Sequence, residues 1–402
     1  MADSAGLSIG IDSSKTALTV ADLYESISRP NEFLLLDVRN NEEYKLWRIE
    51  GKHTPETLHI FYGEFVEEEQ AAAQKIPPGK EVVVVCAKGG ASDYVAEILR
   101  DSYGISAYNL EGGMISWGNY YFFRQVVAQD TYQIYQIERV ARGCLSYLLV
   151  SQGQAAVIDP GRHFDRYLDF IKEAGAELSL ILDTHAHADH ISGGSSLALN
   201  TGIPYHLHPY DAIHPFDLLP AEILYQPLVD GQEFQLGDLR IEVIHTPGHT
   251  LGQVNFLASD SEGKSYVFTG DNLFIESFGR PDLGGRGEAW APLVYRTIFE
   301  TFKARVTDEA QILPGHYAAQ REANSNGAFM KSFSVLRKEN SALQIDRKEE
   351  FVRYTLEHLP PAPSQYVQIK RVNLGLVVPD EQEASELELG KNICALSEAY
   401  GE

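Results

Sequence analysis

At 402 residues the chain exceeds one ordinary domain and suits two, and its 44% apolar content fills two cores rather than leaving a disordered polymer. A formal net charge of −24 repels phosphate backbones and anionic lipid, which argues against nucleic-acid and membrane partners and demands local cations if the substrate is an anion. Three cysteines make no disulfide framework, residues 1–19 show no basic segment leading into an apolar core, and no apolar run is long enough to cross a bilayer, so a cytoplasmic protein is expected.

In chain order, an apolar run over 33–38 ending in Asp37-Val38-Arg39 predicts a strand, and the valines Val82 to Val85 predict one buried on both faces. A helix is expected over 92–102, with Val95, Ile98 and Leu99 on one side, and a strand over 106–110. Together these read as a small parallel α/β unit. Residues 125–131 look polar and unpatterned, which sets a boundary between domains at 15–125 and 131–380. Strands follow over 132–137, 145–150, 155–158 and 178–182, with a helix over 164–173. Later strands are read over 240–244, 254–257 and 265–269, and helices over 291–304 and 328–343. This pattern implies two mixed sheets with helices outside. Residues 381–402 form an acidic helix or loose tail.

Cys86 directly follows the valine strand and opens the turn Cys86-Ala87-Lys88-Gly89-Gly90-Ala91-Ser92 into the next helix. Backbone N–H groups at a helix start, aided by the dipole, stabilise a thiolate or persulfide there. Gly89 and Gly90 permit close backbone approach, Ser92 closes the loop, and Lys88 adds a charge. With Leu36-Asp37-Val38-Arg39, Glu43-Tyr44 and Tyr108-Asn109-Leu110-Glu111-Gly112-Gly113 before Trp117, residues 19–123 resemble a rhodanese. The resemblance implies that Cys86 carries sulfane sulfur as a persulfide. The family's usual Arg is replaced by Ala91, which counts against thiosulfate as the donor.

Thr184-His185-Ala186-His187-Ala188-Asp189-His190 follows the strand expected over 178–182. His249, Asp271 and His316 each sit beyond a later strand end, in Thr246-Pro247-Gly248-His249, Thr269-Gly270-Asp271 and Leu313-Pro314-Gly315-His316. Strand ends are where α/β folds place sites, and the ordered set reads as a metal centre. Its order resembles the metallo-β-lactamase superfamily from residue 132 to His316 and beyond, with Asp159 of Ile158-Asp159-Pro160-Gly161 steadying the histidine loop. The fold class expected is therefore α/β: a rhodanese-like parallel unit followed by an αβ/βα sandwich.

Two metal readings stay open on ligand types. In one, His185, His187 and His249 hold one zinc, Asp189, His190 and His316 a second, and Asp271 bridges. That is a glyoxalase II-like thioester hydrolase. In the other, His185, His249 and Asp271 hold one Fe(II) with open positions, as in two-His-one-carboxylate oxygenases. The chain resembles persulfide dioxygenases most, also in Gly279-Arg280-Pro281-Asp282 after Asp271. The resemblance implies a low-molecular-weight thiol persulfide and O2 as substrates, sulfite and thiol as products, and thiosulfate or sulfite as partners of the rhodanese unit. It makes His187, Asp189, His190 and His316 supporting groups. Arg280 is read either as a substrate anion site or as an ion pair with Asp282, and Tyr317 as a possible substrate contact. Cys144 and Cys394 are read as structural, and a homo-oligomer is expected. The non-enzymatic alternative is a sulfur-carrier module with a structural metal.

Overall fold

The computed structural model describes residues 15–390 and 393–394. Their contacts form two compact units. The first holds the described residues up to Tyr121 with Arg139–Arg142 and 389–390; the second holds Phe122–Glu138, Gly143–Glu388 and 393–394. Among the described residues no helix is long and apolar enough to cross a membrane.

In the first unit five strands pair in parallel, in the order Ala17–Leu18, Ala107–Leu110, Val82–Val85, Leu34–Asp37, Glu56–His59. Val82 to Val85 lie at the centre and are wholly buried, as an unbroken β-branched run requires when helices cover both faces. The helix after this strand runs Gly90–Tyr103, two residues longer at its start than the pattern suggests, because Gly89 takes φ +95° and turns the backbone directly into it. At the end of Leu34–Asp37 the Asp37 carboxylate receives Arg39 Nε at 3.0 Å and Nη2 at 2.6 Å, both side chains being buried. The same guanidinium donates to the Trp47 carbonyl at 2.8 Å.

The second unit is a sandwich of two sheets. Seven strands are ordered Gln226–Pro227, Tyr205–Leu207, Glu177–Leu182, Gln154–Ile158, Cys144–Ser151, Tyr132–Arg139, Tyr121–Ala128. Six are ordered Glu233–Leu236, Leu239–His245, Val254–Ser259, Ser265–Gly270, Gln311–Pro314, Lys331–Ser332. Leu145, Tyr147, Leu149, Ile158 and Leu182 from the first sheet meet Ile241, Val243, Phe256, Phe268 and Leu313 from the second in one buried core. The outer face of the six-stranded sheet is covered by Val294, Ile298, Phe302, Phe333 and Phe351.

Two readings of the sequence need correction, and a third resolves to one of its alternatives, the helix. Residues 125–131 are not wholly an unpatterned linker: the strand Tyr121–Ala128 takes in 125–128, where Val126 and Val127 pack on the sandwich core. Residues 328–343 hold a strand Lys331–Ser332, a helix Phe333–Glu339 and a 3₁₀ turn Ser341–Gln344 rather than one helix. Asn340 breaks it: its Oδ1 accepts from Ala342 N, and its amide donates to the Phe274 and Ser277 carbonyls. The acidic stretch from 381 starts as a docked helix, Glu381–Leu387, with Ala384 buried; Glu388 beyond it ion-pairs with Arg162 at 2.7 Å. The remainder of that stretch, apart from 388–390 and 393–394, lies outside the described residues.

Arg39→Met leaves the Asp37 carboxylate buried without its partner and is expected to cost about 3–5 kcal/mol. Denaturant unfolding followed by a probe in the first unit measures it; a change below about 1 kcal/mol would show that the pair does not hold this sheet end.

Candidate functional site

In the first unit Cys86 Sγ accepts from Gly89 N at 3.0 Å and from Ser92 Oγ at 3.1 Å, and the thiol is buried. Ser92 Oγ also lies 2.7 Å from Asn109 Oδ1, which fixes its rotamer. The turn at Gly112-Gly113 backs this loop: Met114 N donates to Cys86 O at 2.9 Å and Ile115 N to Ala87 O at 3.1 Å. Gly113 has φ +56°, and a Cβ there would run into the Cys86 carbonyl, so the second glycine of that turn is sterically required. Lys88 and Gly90 are exposed, so Lys88 lies at the rim and the cradle itself is made of Gly89, Ser92 and the helix start.

In the second unit, topology gathers the ligand candidates. Leu239–His245 and Ser265–Gly270 both pair antiparallel with Val254–Ser259, and Gln311–Pro314 runs parallel to Ser265–Gly270. Their C-terminal ends therefore share one edge, and His249, Asp271 and His316 follow those ends. His185 follows the end of Glu177–Leu182 in the other sheet. All four side chains are buried.

Asp271 is the common point. Its Oδ2 lies 3.3 Å from His249 Nε2 and 4.0 Å from His185 Nε2, and its Oδ1 lies 3.0 Å from His316 Nε2. Ligating atoms of His185, His249 and Asp271 all fall within 4.8 Å of one another. His185 Nε2, His249 Nε2 and Asp271 Oδ2 are buried without hydrogen-bond partners. Donors about 2.1 Å from one ion lie roughly 3–4 Å apart, so orphaned atoms at these separations fit a metal.

Each ring is aimed from behind. His249 Nδ1 donates to the Arg280 carbonyl at 2.8 Å, leaving Nε2 to face Asp271. His185 Nδ1 lies 2.9 Å from Thr184 Oγ1, which donates to Asp159 Oδ2 at 2.9 Å; Asp159 Oδ1 accepts from Thr184 N at 2.6 Å. Asp159 takes φ +53°, a strained conformation for a residue with a Cβ, held by these bonds. A Cβ on Gly315 would sit 2.8 Å from Asp271 Oδ1, which explains the glycine before His316.

The other histidines divide. His187 Nε2 faces Asp159 Oδ1 at 3.3 Å and groups with Asp159 and Asp183. Asp189 Oδ2 lies 3.3 Å from His316 Nε2, and His190 Nδ1 lies 3.4 Å from Asp189. Electrostatics follow this division. Burial holds His185 well below the ordinary imidazole range, with His187 and His249 adding to it, and burial likewise lowers His249. Burial opposes charge on His190 as well, but the Asp189 carboxylate outweighs it and pushes that ring up to about 10. Asp271 and Asp189 overcome burial at His316 in the same way, raising it well above the usual value.

Two further expectations change. Arg280 is wholly buried and spent on structure: Nε and Nη2 grip Asp282 at 2.7 and 2.9 Å, and Nη1 and Nη2 donate to the Ile393 and Pro360 carbonyls. The ion-pair role holds, and the side chain is not presented to a substrate. Tyr317 stacks on Phe329 at 3.8 Å within the sandwich core, with its hydroxyl on the Glu138 carboxylate.

Several residues at the site carry no motif and were not read from sequence. Asp211 joins the two histidine loops: Oδ2 accepts from Ala186 N at 2.8 Å and Thr250 Oγ1 at 2.7 Å, and Oδ1 from Gly252 N at 2.9 Å. On the helix Gln365–Asn373, Lys370 Nζ donates to the Ala186 carbonyl at 2.7 Å, and Asn373 Nδ2 donates to the His187 and His190 carbonyls, both at 2.9 Å. Glu388 Oε1 accepts from Ile191 N at 2.8 Å. Cys144 Sγ lies 3.3 Å from Asp189 Oδ2, and Cys394 Sγ falls among Asp189, Asp271 and His316, so both thiols, read as structural, border the site.

This fold and site define an αβ/βα sandwich with a candidate metal centre, preceded in the chain by a parallel α/β unit with a buried cysteine loop. Residues 139–325 match the family model for the metallo-beta-lactamase superfamily and residues 19–120 that for the rhodanese-like domain. A probable polyketide biosynthesis zinc-dependent hydrolase, BaeB of Bacillus velezensis, is 32% identical over 229 residues, 56% of this chain and 93% of that protein. The chain belongs to the metallo-beta-lactamase superfamily and carries a rhodanese-like domain at residues 19–120. Among solved structures, a metallo-beta-lactamase from Staphylococcus aureus matches with TM-score 0.53 and 25% identity over 61% of this chain and 73% of that one. ETHE1 from Myxococcus xanthus shares the fold at TM-score 0.50 and 24% identity, covering 63% of this chain and 99% of that one. Membership points to a metal-dependent enzyme.

Asp211 touches no candidate ligand atom, yet it ties both histidine loops. Asp211→Ala is expected to weaken metal binding by about tenfold to a hundredfold. Competition with a chromophoric chelator reads this out, and unchanged affinity would remove Asp211 from the support of the centre.

Proposed function

We propose that the chain is an iron-dependent persulfide dioxygenase joined to a sulfur-carrying rhodanese-like unit. The net reaction is R–S–SH + O2 + H2O → R–SH + sulfite + 2 H⁺. The observation that carries the reading is the convergence of His185 Nε2, His249 Nε2 and Asp271 Oδ2, three unsatisfied buried donors of two-His-one-carboxylate type, with His187 turned away onto Asp159. A bound Fe(II) would supply redox chemistry toward O2 and an electrophilic seat for an anionic sulfur. The protein's own contribution is positional. Arg280 O and the Thr184–Asp159 relay hold the two rings with Nε2 inward, and Asp211 keeps their loops in register. The paired Asp189 and His316 lie beside the seat, where they can hold the proton that a leaving thiol requires.

In the rhodanese-like unit, the Cys86 thiolate attacks the outer sulfur of a donor persulfide. The inner S–S bond breaks, the carrier thiol leaves, and a persulfide remains on Cys86 for delivery to a thiol or to sulfite. Gly89 N and Ser92 Oγ are the donors that stabilise sulfur anions at that position. Cys86→Ser is expected to abolish this transfer while leaving metal content unchanged. Undiminished transfer, followed by mass spectrometry of the loaded protein, would refute the carrier role.

A second reading is a two-zinc thioester hydrolase. It draws on the zinc-dependent hydrolase name of the Bacillus velezensis relative and on the Asp189, His316 and Asp271 side chains that face one another. Elemental analysis and turnover separate the two. The dioxygenase reading expects one iron per chain and oxygen uptake on adding glutathione persulfide. Two zinc ions with oxygen-independent cleavage of S-lactoylglutathione would overturn it.

A further inference from the structure

A cavity of about 520 Å³ opens among the elements that cover the outer face of the six-stranded sheet, and none of the metal candidates lines it. Its size is that of a small-molecule site. Its apolar walls are largely aromatic: Tyr295, Phe299 and Phe333 line it. Tyr295 and Phe299 stack at 4.7 Å, and Phe333 packs on Phe302 at 5.7 Å. Lys303, Arg337 and Lys338 line the same cavity, against a single carboxylate, Asp346. That local balance is the reverse of a chain whose formal net charge is −24.

The helical wall is shaped to this cavity. The helix Gly287–Arg296 passes into a π-turn, Thr297–Thr301, before the last turn Phe302–Arg305. Tyr295, Phe299 and Lys303 follow one another at intervals of four residues. In a continuous α-helix Lys303 would stand about 80° round from Tyr295. The wider π-turn offsets that drift, and all three side chains reach the cavity. Such turns are frequent at functional sites. Lys303 and Lys338 take part in no ion pair among the described residues. Arg337 pairs with Asp308 at 2.7 Å through Nη2, and its guanidinium lies 5.2 Å from the centre of the Phe333 ring. Its Nε is buried without an acceptor.

We propose that this cavity is a binding site for a small aryl carboxylate, separate from the metal centre. The aryl ring lies against the Phe299 and Phe333 side chains, where ring–ring contact adds to the gain from burial. The carboxylate turns to the rim, toward the ammonium groups of Lys303 and Lys338. A cationic ligand would meet three like charges here, and a bare inorganic anion would leave the aromatic walls unused.

The test is titration calorimetry of the full chain with naphthoate, before and after a chelator removes bound metal. Saturable binding is expected in both states. Exchanging both rim lysines, Lys303→Gln with Lys338→Gln, is expected to weaken it about tenfold. Lys45→Gln with Lys172→Gln removes the same charge from exposed positions elsewhere and is expected to leave binding unchanged. Neutral naphthalenemethanol and the alkyl carboxylate octanoate are each expected to bind more weakly than naphthoate. Absence of saturable binding, binding that disappears with the metal, or equal weakening in the two double variants overturns the site. Naphthalenemethanol or octanoate binding as tightly as naphthoate overturns the aryl carboxylate assignment. None of these outcomes bears on the dioxygenase reading, which stands or falls on iron content and oxygen uptake.

Discussion

The second unit is organised around the buried Asp271 carboxylate, to which three imidazoles turn a ring nitrogen. Asp271 is buried against three imidazoles, with Oδ2 toward His249 and His185 and Oδ1 toward His316. Burying a carboxylate costs several kcal/mol unless it is paired, and a fold bears that cost only where something else is gained. The geometry around Asp271 shows what is gained: neutral donors aimed at one point from loops of two sheets. The sandwich core exists in part to bring those loops to a common edge, since strand direction decides which turns can meet.

A point set by four loops is only as sharp as the bonds that hold those loops. Those bonds come from residues outside the ligand set. Asp211 spans the loops that carry His185 and His249. The helix Gln365–Asn373 clamps the first of them from outside through Lys370 and Asn373, and Glu388 holds its far end at Ile191. Residues beyond 325, outside the span matched by the superfamily model, therefore contribute directly to the stiffness of the centre. Strain is retained in the same place, at Asp159, where a left-handed backbone lets one carboxylate serve both Thr184 and His187.

Much of this was legible in the sequence, for a definite reason. Candidate ligands such as His185, His249 and Asp271 sit in short local motifs at strand ends, and local pattern reveals strand ends. The valine strand and the Cys86 turn are legible in the same way. The supporting residues are not, because their partners lie far along the chain: Asp211 reaches residues 25 to 41 positions away, and Lys370 reaches across 184. No periodicity marks such a residue. The fate of Arg280 shows the same limit from the other side. Its motif left an anion site and an ion pair with Asp282 both open, and the contacts with Pro360 and Ile393 that favour the strut are invisible from the motif. Likewise the valine pair at 126–127 declares a strand only once a core is known to lie beneath it.

Burying a lysine beside a metal centre in so acidic a chain looks perverse until its electrostatic effect is followed. Lys370 is buried, which lowers its own affinity for a proton, and its ammonium donates to the Ala186 carbonyl between the first two loop histidines. After burial and the neighbouring imidazoles, its charge works in the same direction on His185, and it opposes the pull of Asp271 on His249. Both rings are thereby kept neutral, with lone pairs exposed to a cation, while Asp189 keeps its neighbour His190 protonated in the ion-free protein. Asp271 and Asp189 thus raise the proton affinity of His316, whereas burial lowers that of His185 and His249. The charge arrangement thus gives neighbouring rings of one crowded group of histidines opposite proton affinities.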